Sequence, residues 1–408
     1  MTPPRYRWVV LAVGAFCAAS FSMLRMGLPA LAPALRDTFG LTLAQVGLVF
    51  SALVLGVTAT LLPWGALADR AGERVVLTTG LAGFAVAVVL TAFAPGYHTL
   101  LAGMAAAGAF GAATTGASGR AVMGWFPRSE RGLALGLRQM ALPLGGAAAS
   151  FALPPLAGAS GLRAALLVVA GVALTAAATA ALMMRDAPPP PASAPAPQVE
   201  RPTRDPRQWR LGAASALLVV GQSAMLGFLV LFLHDARGVP VATAAAALAT
   251  LQLLGAGARV IAGRRSDREG ARIPLLRRIA AADAVLLGGV AALSGAGSWA
   301  DPVLFPLLLV AGVTAMCWNG LAFTAAAEIA GRRRAGTAMS LQNTVVSIGG
   351  TLAPTAFGAL VGAASWPVAY AAIAAAPLLA LAVLAPLEAD ERCRAEARTR
   401  RLAIASGA

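Results

Sequence analysis

Charged residues are scarce in this chain of 408 residues: they make up 12% of it, and none of them is lysine. Soluble domains carry about 25% charged residues, so this chain has too few polar groups to cover a water-facing surface. Its three cysteines show neither metal-ligand spacing nor a paired pattern, and its two histidines lie at the ends of apolar runs. These absences argue against a disulfide framework, a metal site and a nucleophile–base pair. We therefore expect neither an enzyme nor a cofactor.

Long hydrophobic runs are abundant instead, with 58% hydrophobic residues and a mean hydropathy of +0.75. A run of about 20 apolar residues crosses the hydrocarbon core of a bilayer as a helix. Barrel strands are short and alternate in polarity, whereas these runs are continuously apolar, so we predict an all-α membrane protein embedded in lipid. The twelve predicted spans are 8–34, 42–67, 75–95, 98–124, 131–157, 162–184, 209–233, 241–262, 273–296, 302–327, 336–361 and 366–387.

The arginines are distributed unevenly between the gaps. A net charge of +15 would suit a nucleic-acid partner, but the arginines lie in short gaps between spans and not along one soluble face. With the N-terminus inside, 25 of the 32 basic residues fall in cytoplasmic segments and only Arg36, Arg163 and Arg237 fall outside. This asymmetry predicts two cytoplasmic termini. We expect a bacterial inner-membrane protein, a monomer that binds no nucleic acid.

A proline-rich stretch divides the chain between spans six and seven. Its composition is typical of an extended, solvated linker, and six spans lie on each side of it. We predict an N-terminal six-helix bundle (1–184), a cytoplasmic linker (185–208), a C-terminal six-helix bundle (209–387) and a charged cytoplasmic tail (388–408).

Two loops repeat the pattern G-x-x-x-D-R-x-G-x-R, one after span two and one after span eight, 198 residues apart. In each copy the first glycine should let the helix end pack closely on a neighbour. The second glycine should permit a positive φ, and the aspartate should accept hydrogen bonds from a helix N-terminus. The motif residues are Gly65, Asp69, Arg70, Gly72 and Arg74 in the first copy, and Gly263, Asp267, Arg268, Gly270 and Arg272 in the second.

With its twelve spans and its two matched loops, the whole chain resembles the secondary transporters of the major facilitator superfamily. The resemblance implies two pseudo-symmetric six-helix bundles that alternate in access to a site between the halves. It implies that spans one, four, seven and ten line the cavity, and that the repeated loops stabilise the inside-closed state. Alternatively, the loops are short basic segments that only fix topology.

Polar residues inside spans are costly and usually mark a cavity or a pathway. Arg25 lies in span one, Asn319 in span ten, and Arg138-Gln139 of span five align with Gln342-Asn343 of span eleven at an offset of 204. We predict that these side chains contact the substrate. The alternatives are an Arg25 that reaches the headgroups and polar groups that bond between helices. The predicted substrate-binding residues are Arg25, Arg138, Gln139, Asn319, Gln342 and Asn343.

Other polar residues are predicted to have structural roles. Arg120 should contact the rim or a gate, and Arg259 and Glu328 should lie near the inner rim. Asp283, in a span that the resemblance makes peripheral, should find an interhelical partner. Gly358 and Gly362, spaced four apart, should let helices approach closely.

No acid in the middle of spans one, four, seven or ten matches Arg25 and Arg138, so a bound anion would neutralise them. We therefore predict secondary active or facilitated transport of a small solute, with an organic or inorganic anion favoured. One alternative is a proton-coupled exporter of drugs or metabolites, although Leu142 stands where the span-five motif of the drug antiporters has glycine. The other alternative is a transporter-like membrane sensor.

Overall fold

The computed structural model describes residues 5–126, 130–186, 202–269, 271–330 and 335–405. Within these ranges every regular element is helical. The predicted linker lies largely outside them, as does Gly270. The helices are α1 (Tyr6–Gly27), α2 (Ala32–Phe39), α3 (Leu43–Ala92), α4 (Tyr97–Gly111), α5 (Ala113–Trp125), α6 (Arg131–Met183), α7 (Pro206–Leu231), α8 (Val241–Glu269), α9 (Ile273–Ser294), α10 (Asp301–Ala315), α11 (Trp318–Ala330), α12 (Ala335–Ala363) and α13 (Trp366–Ala405).

Ten stretches of the described chain are long and apolar enough to cross a membrane. One of them, Gly136–Met183, has 48 residues, about twice the length that one crossing needs, and it is interrupted at Gly161 by a φ of 82°. The polar helix α9 has 22 residues, enough for a crossing, although it is not among the ten. The fold is therefore that of an all-α multi-pass membrane protein, and these lengths accommodate the twelve predicted spans.

Spans one, four and ten are interrupted, and span seven ends in a π-helical turn; the sequence did not reveal these features. A 3₁₀ turn, Leu28–Leu31, separates α1 from α2, and a π-helical turn, Phe232–Ala236, follows α7. Helices α4 and α5 meet at Ala112, while α10 and α11 meet at Met316–Cys317. Broken helices are typical of transporter sites, because a break brings backbone polar groups to a cavity inside the membrane.

The first compact unit contains residues 1–197, 226–256 and 351–363. In it α1 lies along α6, with the Ala19 carbonyl against Gly145 and the Ser22 hydroxyl donating to the Leu142 carbonyl over 2.6 Å. Small residues allow this close approach, which stabilises helix pairs in a bilayer where apolar burial adds little.

The second compact unit contains residues 198–225, 257–350 and 364–408. Its core is a cluster of buried apolar side chains from α7, α9, α11, α12 and α13, with the fully buried Trp318 among them. The predicted charged tail continues helix α13 as far as Ala405. The tail therefore includes an ordered helical extension of the last span.

The loop glycines differ from one another. Gly72 has a φ of 81°, so the predicted positive φ is confirmed there. The predicted close packing at Gly65 and Gly263 is wrong: no described heavy atom outside the local helix lies within 4 Å of the position a Cβ would take. Glycine at these two positions leaves open space and not a tight helix contact.

Candidate transport site and gates

Arg138 is buried at 6% exposure and binds to the broken span four. Its guanidinium donates to the Thr114 and Thr115 carbonyls over 3.2 and 3.0 Å and to the Ser118 hydroxyl over 2.8 and 3.0 Å. Its Nη1 donates to Gln139 Oε1 over 2.7 Å. Every acceptor is neutral, so within the described chain the charge of Arg138 is not paired with a carboxylate. One N–H of Nη1 remains for a further acceptor.

Arg259 of α8 binds the broken span ten in the second unit. Its Nε donates to the Met316 carbonyl, at the break of span ten, over 2.8 Å. Ala112 and Met316, which mark the two breaks, lie 204 residues apart, the same offset that relates Arg138 to Gln342. Arg138 therefore binds the backbone two and three residues after the break of span four, whereas Arg259 binds the backbone at the break of span ten. Arg259 was predicted to lie near the inner rim, whereas the structure places its side chain at a helix break.

Arg25 lies in the last turn of α1, half-buried. Among the described residues it has neither a hydrogen-bond acceptor nor a carboxylate partner, which is unusual for an arginine in a membrane helix. Ser22, three residues before Arg25, bonds to Leu142, four residues after Arg138. At 1.5 Å per residue, Arg25 and Arg138 are separated by about 10 Å along the pair of helices. Both side chains are long enough to reach toward one small anion.

The second unit contains the other predicted substrate residues. Asn319 Nδ2 donates to Gln222 Oε1 over 2.8 Å, and Gln342 Nε2 donates to the Ser215 hydroxyl over 2.6 Å. Both bonds join neighbouring helices, as the alternative of interhelical bonding predicted. Asn343 is half-buried without a partner in the described chain, and Gln342 Oε1 and Trp318 Nε1 are buried without one. Of these three residues, only Asn343 is partly exposed in the described arrangement.

The first repeated loop is joined to span four. The Arg120 guanidinium of α5 pairs with Glu73 over 2.7 Å and donates to the Ala68 carbonyl over 2.8 Å. The Arg74 N–H donates to Asp186, a residue that follows span six, over 2.9 Å. The carboxylate of Asp186 also fills the space where a Cβ at Gly72 would project. Arg120 therefore bonds the first repeated loop, while the side chain of Asp69 lies outside the described residues.

The second repeated loop pairs with span ten in the same way, but here the loop supplies the arginine and the span supplies the glutamate. Arg272 pairs with Glu328 over 3.0 Å and with Asp267 over 2.6 Å. Burial lowers the pKa of Arg272, but hydrogen bonds to Glu328 and Asp267 outweigh burial and leave that pKa above its ordinary value. The guanidinium therefore stays charged at any physiological pH.

The predicted helix-capping role of Asp267 is wrong. Glu391, which follows span twelve, accepts from the Arg272 and Ile273 N–H groups at the start of α9 over 2.9 and 3.0 Å. Asp267 is instead held by Arg272 and is too exposed to serve the buried helix end. Asp186 and Glu391 thus have the same role in the two repeats. Each follows the last span of its half and accepts a hydrogen bond from a backbone N–H of a repeated loop.

At the opposite end of the first unit, parts of α7, α8 and α12 pack tightly on α1 and α3; we call this set the outer contact. The carbonyl of Pro354 lies against Gly47, and that of Leu43 lies against Gly358. Phe228 contacts Phe50 and Phe357, with ring centroids 6.0 and 5.0 Å apart. The predicted close approach is confirmed for Gly358 and wrong for Gly362, whose surroundings are open among the described residues.

Polar groups complete the outer contact. The Ser51 and Thr355 hydroxyls are 2.8 Å apart, and Gln252 Nε2 donates to the Met26 carbonyl and to Ser150, each over 3.3 Å. Arg36 pairs with Asp235 at the rim. These few polar bonds and one exposed ion pair are each weak enough to be exchanged for water.

The ion pair between Glu73 and Arg120 can be tested by exchanging its charges. The side chain of Glu73 is only 6% exposed, so the Arg120→Glu variant places two acids together and should lose thermal stability and transport. Unpairing a buried charge costs about 3–5 kcal/mol. The double variant Glu73→Arg, Arg120→Glu places arginine on the loop and glutamate on the helix, as in the pair Arg272–Glu328. It should recover much of the lost stability.

Thermal unfolding in detergent and uptake in proteoliposomes would measure this recovery. The exposed pair Arg265–Glu269 offers a control, because its reversal should cost no more than about 1 kcal/mol. A double variant no better than Arg120→Glu would show that the pair does not couple the loop to span four.

A sequence model of the Major Facilitator Superfamily matches residues 11–354. The chain belongs to the major facilitator superfamily. It is 36% identical over 392 residues to an uncharacterised MFS-type transporter of Mycobacterium tuberculosis, an alignment that covers 93% of this chain and 86% of the relative. This MFS chain is therefore a multi-pass membrane transporter of a small solute.

Two further comparisons bear on the MFS fold and its relatives. The chain is 29% identical over 368 residues to the probable sulfoacetate transporter SauU of Cupriavidus necator, covering 83% of each protein. The solved structure of a bacterial homologue of the human lysosomal transporter Spinster, inward-facing and occupied, matches with a TM-score of 0.77 at 19% identity, covering 97% of this chain and 98% of that one. The structural match shows the fold alone.

Sequence reasoning missed Glu73, Asp186, Glu391, Gly47 and Ser118. The first three stand at the edges of spans, where charged residues are common and carry no signal by themselves. The 204-residue repeat offered a signal for the helix breaks, since it already aligned spans five and eleven. Extending it to spans four and ten would have paired Ala112 with Met316.

Proposed function

We propose that this transporter carries a small organic anion and that Arg25 and Arg138 bind it. The observation that supports this most is the state of the two guanidiniums, one without any partner and the other bonded only to neutral acceptors in the described chain. A cation in a membrane helix is costly without a counter-charge. A carboxylate or sulfonate supplies that charge and accepts paired N–H bonds from a guanidinium.

The name of the Cupriavidus relative favours an organic anion with the size and charge of sulfoacetate. That relative aligns with 83% of this chain, and sulfoacetate serves here as a probe of the class. The drug exporter, the second prediction from sequence, would need an apolar site. Arginines without carboxylate partners in the first unit favour the anion over an amphipathic drug.

Transport proceeds in this proposal by alternating access. The outer contact closes one end of the first unit, and each repeated loop is held to the broken span of its own half by one ion pair, Glu73–Arg120 in the first unit and Arg272–Glu328 in the second. We place the loops and both termini on the cytoplasmic side of the inner membrane, because the basic residues concentrate there. Opening of the outer contact then admits solute from outside, and rearrangement of the loop pairs releases it inside.

Counterflow in proteoliposomes tests the proposal. Vesicles preloaded with unlabelled sulfoacetate should take up labelled sulfoacetate, whereas vesicles preloaded with a neutral sugar should not. An excess of isethionate, a sulfonate of similar size, should compete, and the cation choline should not. Counterflow of a neutral or cationic solute, with none for sulfonates or carboxylates, would reject the anion.

A further inference from the structure

Asp283 is a buried acid that none of the described residues bonds. It lies in the middle of α9 at 1% exposure, and neither oxygen of its carboxyl group has a hydrogen-bond partner in the described chain. The predicted interhelical partner is therefore wrong. An isolated carboxylate in a membrane interior is costly, so this environment suits the neutral, protonated acid.

Asp283 faces a helix that the resemblance assigns to the cavity lining. Its Oδ2 lies 3.3 Å from the position that a Cβ at Gly221 of α7 would take. The next residue, Gln222, accepts a hydrogen bond from Asn319, which begins span ten beyond its break. Because Gly221 has no side chain, the carboxyl group of Asp283 has room against α7. The hydrogen-bonded pair Gln222–Asn319 adds polar groups from α7 and α11.

Other ionisable groups near α9 leave Asp283 without a bonded partner. The Cys317 thiol is within electrostatic range of Asp283 and Arg259, but the Arg259 Nε is engaged by Met316. On α13, Glu388 pairs with Arg277, and Glu391 caps the start of α9. Arg277 precedes Asp283 by six residues, about 9 Å along the helix. From α10, the apolar Leu307 packs against Gly289 of α9.

Helix α7 belongs to both compact units, since its residues up to Met225 pack in the second and those from Leu226 in the first. Gly221 lies four residues before that junction. Movement of α7 during opening of the outer contact would therefore change the surroundings of Asp283. An acid whose access to water changes with the transport cycle can take up a proton in one state and release it in the other.

We propose that Asp283 is the proton-binding group that couples the proton gradient to transport. This inference rests on the proposed function. In the described arrangement the carboxyl group is neutral. When water reaches the carboxyl group, its O–H bond breaks, the proton passes to water and the carboxylate remains. In the other access state of the transporter, the carboxylate takes up a proton from water on the opposite side of the membrane. One proton then crosses with each anion and in the same direction.

Two measurements on the full-length protein test this role. The first needs no substrate: infrared difference spectra between acidic and alkaline buffer should show a carboxyl band that Asp283→Asn lacks. Asp205→Asn is the control, because hydrogen bonding to Arg207 lowers the pKa of Asp205 and so favours its ionised form. The second is transport: Asp283→Asn should lose sulfoacetate accumulation driven by a pH gradient and keep sulfoacetate exchange without one.

The outcomes separate the coupling from the substrate proposal. An unchanged infrared band in Asp283→Asn, or gradient-driven accumulation equal to that of the wild type, would overturn the coupling role. Equal loss of accumulation and exchange in a folded variant would also overturn it, in favour of a structural role. If the wild-type protein exchanges no sulfonate or carboxylate, the proposed substrate class fails, and the infrared result alone decides the protonation of Asp283.

A second variant covers the event that Asp283→Asn does not fold. Gly221→Ser would place a hydroxyl donor beside Oδ2, and a hydrogen bond to the charged form favours it. Gradient-driven uptake by this variant should therefore have a pH profile displaced toward acid. The variant Gly221→Ala, which adds the same Cβ without the donor, is the matched control and should keep the wild-type profile. Identical profiles for the serine and alanine variants would overturn the assignment.

Discussion

Replacing Arg25 with glutamine is expected to reduce sulfoacetate uptake about ten- to hundred-fold, because a hydrogen bond to a charged group contributes about 1.5–3 kcal/mol and each 1.4 kcal/mol is tenfold in affinity. Arg25 has no partner among the described residues, so its loss leaves no protein group unsatisfied. The protein should therefore insert and unfold like the wild type. Arg138→Lys keeps the charge but loses the planar fork that binds Ser118 and the α5 carbonyls. We expect it to lose both uptake and thermal stability.

Initial rates of sulfoacetate counterflow, corrected for the amount of protein in the vesicles, would measure these effects. Arg163→Gln is the matched control: it removes the same charge from a side chain that stacks over Phe93, 4.6 Å from the ring centroid. Its uptake should equal that of the wild type. Normal uptake by Arg25→Gln and by Arg138→Lys would remove the basis for an arginine-bound anion.

A disulfide across the outer contact is expected to stop transport completely and reversibly. Ser51 and Thr355 place their hydroxyl oxygens 2.8 Å apart, so cysteines at these positions are close enough to bond after a small adjustment. The pair joins α3 to the part of α12 that packs in the first unit. A covalent bond there prevents the opening that each cycle requires, so exchange should fall to the level of protein-free vesicles.

The Ser51→Cys, Thr355→Cys protein, made with the three native cysteines replaced by serine, would be assayed after oxidation and again after reduction. Reduction should restore exchange, and each single-cysteine variant should stay active under oxidant. Full exchange through a quantitatively cross-linked protein would mean that the outer contact is not a gate.

Much of the fold could be predicted from the sequence because lipid imposes strong constraints. The long apolar runs and the uneven arginines predicted a helical membrane protein, and the repeated loops predicted its family. The positive φ at Gly72 was also predictable, since a tight turn between two spans restricts the backbone locally. Each of these properties depends on neighbouring residues or on a repeated pattern.

The partners of individual polar residues could not be predicted in the same way. Arg120 meets Glu73 from 47 residues away and Glu391 reaches α9 from 119 residues away, and no local pattern encodes either separation. Gly65 suggested close packing from its residue type alone, yet its surroundings are open. Asp283 was expected to have a hydrogen-bond partner, because buried acids in proteins are usually paired. Only the packing of α7, α9 and α11 shows that its carboxyl group has none in the described chain.

Alternating access requires the outer contact to open during transport. Pulsed electron paramagnetic resonance can measure this directly, with spin labels at His98 and Ala236, both exposed residues of the first unit, in lipid nanodiscs. We predict two distance populations, a shorter one matching the described structure and a longer one whose share changes when sulfoacetate is added. A single distance that persists with and without sulfoacetate, at acidic and at alkaline pH, would contradict alternating access at this end of the protein.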